Sequence, residues 1–314
     1  MGDDFVKYNQ MPGTNLEVSN LVMGNMRINQ LSSSETEKLI RTAQDEGINF
    51  FDHADIYGNG DCESHFAKAI SMNASVRDKM ILQSKCGIRK GATGYYDFSK
   101  QHILSSVEVI LKRLNTEYLD ILLLHRPDPL MEPEEVADAF ESLYTSGKVR
   151  YFGVSNHTPL QIENLQQSIN QKLVVNQVQF SLAHTPLIDS SMSLNMKTDN
   201  AINRDSGTLD YARLHQMTLQ AWSPFQNGFF KGTFLGDTEN FAALNQVLDR
   251  LAEKYDVTAT AIATAWITRH PANIQVVLGT TNPQRMSDAC AGSDIHLSRE
   301  EWFELYASAG NPIP

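Results

Sequence analysis

The chain has 314 residues, 41% hydrophobic and 20% charged, with 26 basic against 37 acidic side chains and a net charge of −11. That length carries ample core for one large α/β domain or two smaller ones, and the acidic balance argues against a general nucleic-acid binder. Cys62, Cys86 and Cys290 are far apart and make neither a disulfide framework nor a CxxC metal site. The N-terminus is mixed and acidic, unlike a signal peptide, and no run approaches the roughly 20 apolar residues that span a bilayer, so the expectation is a soluble cytoplasmic protein with no membrane partner.

In chain order, β-like runs occupy residues 21–26, 48–53, 80–85, 119–125, 151–156, 173–180, 217–222 and 274–279. Several are nearly continuous apolar runs, as expected of strands covered on both faces. Helix signals lie between them. Ser34 to Glu37 reads as a capping box ahead of an apolar-periodic stretch that Gly47 ends. Pro133-Glu134-Glu135 opens a helix closed by Gly147, and Asn282-Pro283 reads as an N-cap followed by proline at the first helical position. Residues 183–206 and 223–237 are long connections after the sixth and seventh strands, expected to project over the active face. There is no repeat of 20–50 residues and no low-complexity tract.

Eight strands alternating with helices predict a (β/α)8 TIM barrel forming a single domain over residues 1–314. The rival is a doubly wound open sheet, which favours a G-x-G-x-x-G turn after an early strand. Here the first strand is followed by Arg27-Ile28-Asn29-Gln30-Leu31, without glycine, and no Walker A pattern occurs.

Barrel active sites lie at the C-terminal strand ends. The second strand ends in Asp52, with Tyr57 in the following loop; the third ends in Lys85 and the fourth in His125. Taken singly each has a plain reading: a loop aromatic, a surface lysine, a turn cap, a core histidine. Together at three consecutive strand ends they make one chemistry. Tyrosine has a pKa of about 10, and a nearby cation makes the phenol a better proton donor. Lys85 supplies that cation, Asp52 holds it, and His125 is placed to hydrogen-bond a reacting oxygen. His53 faces away from Asp52 on the strand and reads as structural. Asp55 reads as ordering the loop before Tyr57, Cys86 as facing the helices, and Cys62 as an unactivated thiol. The nine histidines show no metal-ligand spacing, so no metal is expected. Arg126 either attracts an acidic substrate or pairs with Asp128.

The run Phe51-Asp52-His53-Ala54-Asp55-Ile56-Tyr57-Gly58, followed by Lys85, His125, Gly153-Val154-Ser155-Asn156 and Asn176-Gln177-Val178, resembles the aldo-keto reductases from about Met23 to Asp288. SKCGI, LLLHRPDPLM and KVRYFGVSNHTP look most like the bacterial oxidoreductases of the YdhF type. The resemblance implies a catalytic tetrad of Asp52, Tyr57, Lys85 and His125, with Tyr57 as general acid in reduction. It implies that Ser155, Asn156 and Gln177 hydrogen-bond a nicotinamide carboxamide and that Trp222 stacks on the ring. Ser223, Phe225 and Gly228 then approach the pyrophosphate, and Gly279, Thr281, Arg285 and Asp288 the adenosine end, while Asn25 and Met26 complete the cofactor set.

Asn282-Pro283 places a helix N-terminus beside the last strand, and Arg285 suits a ribose phosphate, which favours NADPH over NADH. Many family members carry a lysine where this chain has Gly279. The implied activity is NADP(H)-dependent reduction of a small aldehyde or ketone. The alternative is a cofactor-binding regulatory subunit with slow turnover, as in some relatives. A lysine Schiff-base aldolase is a third reading, disfavoured because Asp52 keeps Lys85 protonated. Met26, Tyr57, Tyr95, Tyr96, Arg126, Phe180, Trp222 and Phe225 are the expected lining of the substrate pocket, an aromatic-rich set suited to an apolar carbonyl compound.

Overall fold

In the computed structural model, residues 6–228 and 231–314 are described. Eight parallel strands close into a barrel in strict sequence order: β1 (Leu21–Gly24), β2 (Phe50–Asp52), β3 (Ile81–Cys86), β4 (Leu119–Leu124), β5 (Val149–Ser155), β6 (Leu173–Gln179), β7 (Thr218–Trp222) and β8 (Gln275–Leu278). β8 pairs with β1, Val276 to Leu278 lying opposite Leu21 to Met23. The predicted strands are all present, most of them shorter by one or two residues.

The period of two divides each strand between two cores. Val22, Phe50, Ile81, Ile121, Leu123, Val175 and Val277 fill the barrel interior, where Met11, Leu16 and Val18 join them. Those three belong to an N-terminal antiparallel hairpin, Tyr8–Gln10 with Glu17–Ser19, which plugs the bottom of the barrel and was not anticipated. The alternate residues, such as Phe51, Leu82, Leu122 and Leu124, face the surrounding helices.

The first barrel helix, Ser33–Asp45, does have a capping box, but two residues earlier than expected. Ser32 is the cap and Glu35 its reciprocal partner. This register buries Thr36, Leu39, Ile40 and Ala43 against the barrel, and frees Glu37 to pair with Arg41 one turn on. The helices opening at Pro133 and Pro283 begin as expected, the latter capped by the Asn282 side chain.

The connection at 183–206 departs from expectation. It contains the helix Pro186–Met192, whose Leu187 and Ile188 are buried, and Asp189 accepts from Tyr306 Oη at 2.8 Å on the C-terminal helix. Apolar burial draws this segment onto the flank of the barrel, and none of it lines the central cavity. The connection after β7 does cover the mouth, folding back through a bridge between Gln226 and Thr233. Among the described residues no helix is long and apolar enough to cross a membrane.

Candidate active site

A cavity of about 680 Å³ opens at the C-terminal ends of the strands. Inward alternation delivers its polar floor. On β2 it carries Phe50 and then Asp52; on β3, Ile81, Gln83 and Lys85. His125 stands one residue beyond the end of β4. Tyr57 opens a short helical turn, Tyr57–Gly60. At Gly58 φ is +56°, and a Cβ there would lie 2.5 Å from Asn29 Nδ2, so glycine is required beside the tyrosine.

The fully buried Lys85 ammonium uses all three donors. It gives one hydrogen bond to Asp52 Oδ2 at 2.6 Å, one to the His53 carbonyl at 2.8 Å and one to Tyr57 Oη at 3.1 Å. Burial works against its charge, but Asp52 and Tyr57 outweigh burial and raise its pKa. Burial also raises the Tyr57 pKa, and Lys85 opposes this without overcoming it. Tyr57 keeps its proton through the neutral range and is poised as a donor. Burial first, then Lys85 and Arg126, hold His125 well below the usual histidine range, so its ring is neutral. Its Nδ1 is buried without a hydrogen-bond partner, which leaves Nε2 as the nitrogen available to the cavity.

Beneath the tetrad runs a buried chain of amides. Gln275 donates to the Ser19 carbonyl at 2.8 Å and accepts from Gln220 at 3.0 Å. Gln220 Oε1 accepts from Gln83 at 2.8 Å and Gln177 at 2.9 Å. These two also donate to Asp52 Oδ1, at 2.6 and 3.2 Å. Asp52 is thus fixed from below by two amides and from above by the ammonium. Sequence reasoning missed Gln83, Gln220 and Gln275. The signal was available, because each is an inward polar residue two positions from another interior residue.

The expected cofactor residues divide. Met26, Ser155, Asn156, Gln177, Trp222, Ser223, Phe225, Gly279, Thr281 and Arg285 all line the cavity. Ser155 Oγ donates to the Gln177 carbonyl at 2.9 Å and accepts from Asn156 Nδ2 at 2.7 Å. Asn156, in the left-handed region at φ +61°, accepts from Trp222 Nε1 at 3.1 Å and so sets the indole. Three residues stand outside the lining. The buried Asn25 donates to the carbonyls of Met23 and Asp52. Gly228 lies in a turn at φ +69°. Asp288 accepts from the Gln284 side chain at 3.1 Å.

Of the expected substrate lining, Phe180 is fully buried against Trp266, and Tyr95 and Tyr96 sit on an exposed two-stranded hairpin with Ile88–Arg89. Arg27 was missed. It lines the cavity, and its Nη2 donates to the Gly279 carbonyl at 2.5 Å. A guanidinium thus stands beside Gly279.

His53 is buried edge-on against Phe66 and its pKa is pushed down to about 3 by burial. Burial raises the Cys62 and Cys86 pKa values, so neither is an activated thiol. Asp128 accepts from the backbone N–H groups of Phe98 and Leu130, and the pair with Arg126 is not formed. Among the described residues no group of three or more His, Cys, Asp or Glu is placed to hold a metal.

The profile of the aldo/keto reductase family matches residues 20–308. The chain is 36% identical to a 6-dehydroglucose reductase of Agrobacterium fabrum, over 94% of this chain and 95% of that one. It is 34% identical to oxidoreductase YdhF of Escherichia coli, over 95% and 96%. Among solved structures, an aldo/keto reductase from Klebsiella pneumoniae in complex with NADP and acetate superposes with a TM-score of 0.76. It is 24% identical, covering 98% of this chain and 96% of that one, and at that identity the likeness speaks to the fold.

Proposed function

This chain belongs to the aldo/keto reductase family, and from that premise we propose that it uses NADP(H) to reduce aldehyde or ketone carbonyls to alcohols. The observation that carries the reading is the meeting of Tyr57, Asp52 and His125 at one wall of a cavity, with the buried Lys85 bonded to Asp52 and Tyr57 behind them, opposite Trp222, Ser155, Asn156 and Gln177. The name of the Agrobacterium relative, a 6-dehydroglucose reductase, supports the reductive direction.

The residues fit a nicotinamide dinucleotide. Gln177 has its amide N–H₂ engaged by Asp52 and Gln220, which leaves Oε1 to accept from a carboxamide. Trp222 contributes an aromatic ring to the same lining. Arg27 and Arg285, with the helix N-terminus at Pro283, gather positive charge at the β8 end of the cavity. Two guanidinium groups there support NADPH over NADH. The bound cofactor would supply the hydride.

The chain's own work is then positioning and proton transfer. His125, neutral, donates a hydrogen bond from Nε2 to the carbonyl oxygen. Tyr57 Oη gives its proton to that oxygen as it becomes an alcohol. Lys85 stabilises the charge left on the phenol, and Asp52 keeps the lysine charged and fixed. The same ion pair disfavours Lys85 as a Schiff-base nucleophile. Cys62, Cys86 and Cys290, buried and free, fit a reducing cytoplasmic setting.

The test is titration of the purified protein with NADPH and NADH, followed by protein fluorescence, and then NADPH oxidation with a panel of simple aldehydes. Quenching that saturates at lower NADPH than NADH, with turnover, is expected. A folded, cofactor-free sample that binds neither nucleotide overturns the proposal.

A further inference from the structure

Of the three arginines that line the cavity, Arg126 alone has no part in either the proton transfer or the proposed cofactor site. Arg126 follows His125 at the end of β4 and lines the same space as Tyr57, His125 and Trp222. It is half-buried, and its guanidinium carbon lies 5.5 Å from the centre of the Trp222 ring. The side chain therefore crosses the mouth of the barrel from β4 toward β7. Among the described residues it makes no ion pair, in contrast to Arg77, Arg89, Arg113 and Arg150. The nearest acid in sequence, Asp128, has both carboxylate oxygens engaged by the N–H groups of Phe98 and Leu130, at 3.0 and 2.9 Å.

A guanidinium cannot shed its proton to escape a drier environment, and its planar fork of donors matches a carboxylate. A partly desolvated cation without a counter-charge is costly to keep unless a ligand supplies the charge. Its place identifies the ligand. Arg27 and Arg285 stand at the β1 and β8 side, where the phosphates of the proposed cofactor would lie. Arg126 stands beside the proton donor and the neutral histidine, on the substrate side. Among the described lining residues it is the one Lys or Arg on this side, which matches a single negative charge. In a chain of net charge −11 a lone arginine does little long-range steering, so its effect is local recognition.

We infer that Arg126 anchors a carboxylate on the substrate, so that the preferred substrates are carbonyl compounds carrying a carboxylate within reach of the reacting carbon. This rests on the reductase reading above. The carboxylate forms no covalent bond; it pairs with the guanidinium while hydride reaches the carbonyl carbon and the Tyr57 proton reaches its oxygen.

The experiment compares matched pairs, 4-carboxybenzaldehyde with 4-formylbenzamide and succinic semialdehyde with its amide, in the wild type, Arg126→Met and Arg126→Lys. In the wild type the acid-to-amide ratio of kcat/KM is expected to be about 10 to 100, the range of a charge-assisted hydrogen-bonded pair. The ratio falls toward one in Arg126→Met and is partly kept in Arg126→Lys. NADPH titration of each variant verifies a folded, cofactor-competent site. A ratio near one in every wild-type pair overturns the inference, as does a ratio that Arg126→Met leaves unchanged. A preference for glyceraldehyde 3-phosphate over the carboxylates also overturns it, by moving the ligand class to phosphate esters.

Binding of benzoate and benzamide to the NADP⁺-loaded protein, measured by calorimetry, separates this inference from the reductase reading. Benzoate binding lost in Arg126→Met, with no carbonyl reduced by any form, would remove the reductase reading and keep the subsite. Carbonyl reduction with benzoate binding equally to both forms would remove the subsite alone.

Discussion

The loop that carries Tyr57 rests on two buried carboxyl groups, and their titration makes a quantitative prediction. Asp55 and Glu63 are each pushed up to about 7, chiefly by burial. Asp55 Oδ1 is buried without a partner. Arg113 Nη1 lies 3.2 Å from the Asp55 carbonyl and 3.4 Å from Glu63 Oε2, and relieves the burial only in part. An unfolded aspartate titrates near 3.8. Between that value and about 7 the folded chain therefore holds a proton that the unfolded chain has lost. Stability must fall as pH rises through this window, by about 1.4 kcal/mol per unit, and level off above it. The full span of roughly three units amounts to about 4 kcal/mol for Asp55.

Asp55→Asn removes this penalty. The variant's stability advantage over the wild type should grow by about 2–3 kcal/mol between pH 5 and pH 7 and then stay level. Urea unfolding at pH 5, 6, 7 and 8 reads it directly. The charge of Asp55 also raises the Glu63 pKa, so Asp55→Asn together with Glu63→Gln should gain less than the sum of the two single changes. A stability difference that does not vary with pH would refute the reasoning, because it would mean that Asp55 ionises in the folded chain as freely as in the unfolded one.

Two further outcomes follow from the geometry. Gln83→Leu removes donations of 2.6 Å to Asp52 and 2.8 Å to Gln220. It should cost about 1–3 kcal/mol in urea unfolding and about tenfold in kcat, with NADPH affinity nearly unchanged; an unaltered kcat would mean that Gln177 alone suffices to hold Asp52. Arg27→Met and Arg285→Met should each weaken NADPH by about tenfold or more and NADH by far less, as fluorescence titration would show; equal losses for both nucleotides would place these arginines away from the 2′-phosphate.

The barrel was legible because each strand is a compact apolar run, and the tetrad because polar residues interrupt those runs at their ends. Asp52 closes Phe50-Phe51, Lys85 follows Ile81-Leu82-Gln83-Ser84, and His125 follows three leucines. The N-terminal hairpin was not legible. Its strands have three residues each, too few for alternation to rise above chance, and they are fixed by contacts with the barrel interior. The register of the capping box is ambiguous in sequence because Ser32-x-x-Glu35 and Ser34-x-x-Glu37 both satisfy the pattern, and only burial of Thr36 and Leu39 chooses between them. The aromatic character of Tyr95, Tyr96 and Phe180 suits a pocket, yet depth depends on where the loops turn. Arg27 carried no sequence signal beyond a positive charge after the first strand; its role depends on the Gly279 carbonyl 252 positions away.

The most direct measurement is the rate of hydride transfer in a single turnover, followed by NADPH absorbance in a stopped-flow instrument, for the wild type and Tyr57→Phe. The phenylalanine keeps the ring and its packing and removes only the proton. The account predicts a rate lower by about 10²- to 10⁴-fold, with NADPH affinity changed by little. A Tyr57→Phe rate within a few fold of the wild type, at equal cofactor affinity, would show that the proton comes from elsewhere and would contradict the assignment on which the mechanism rests.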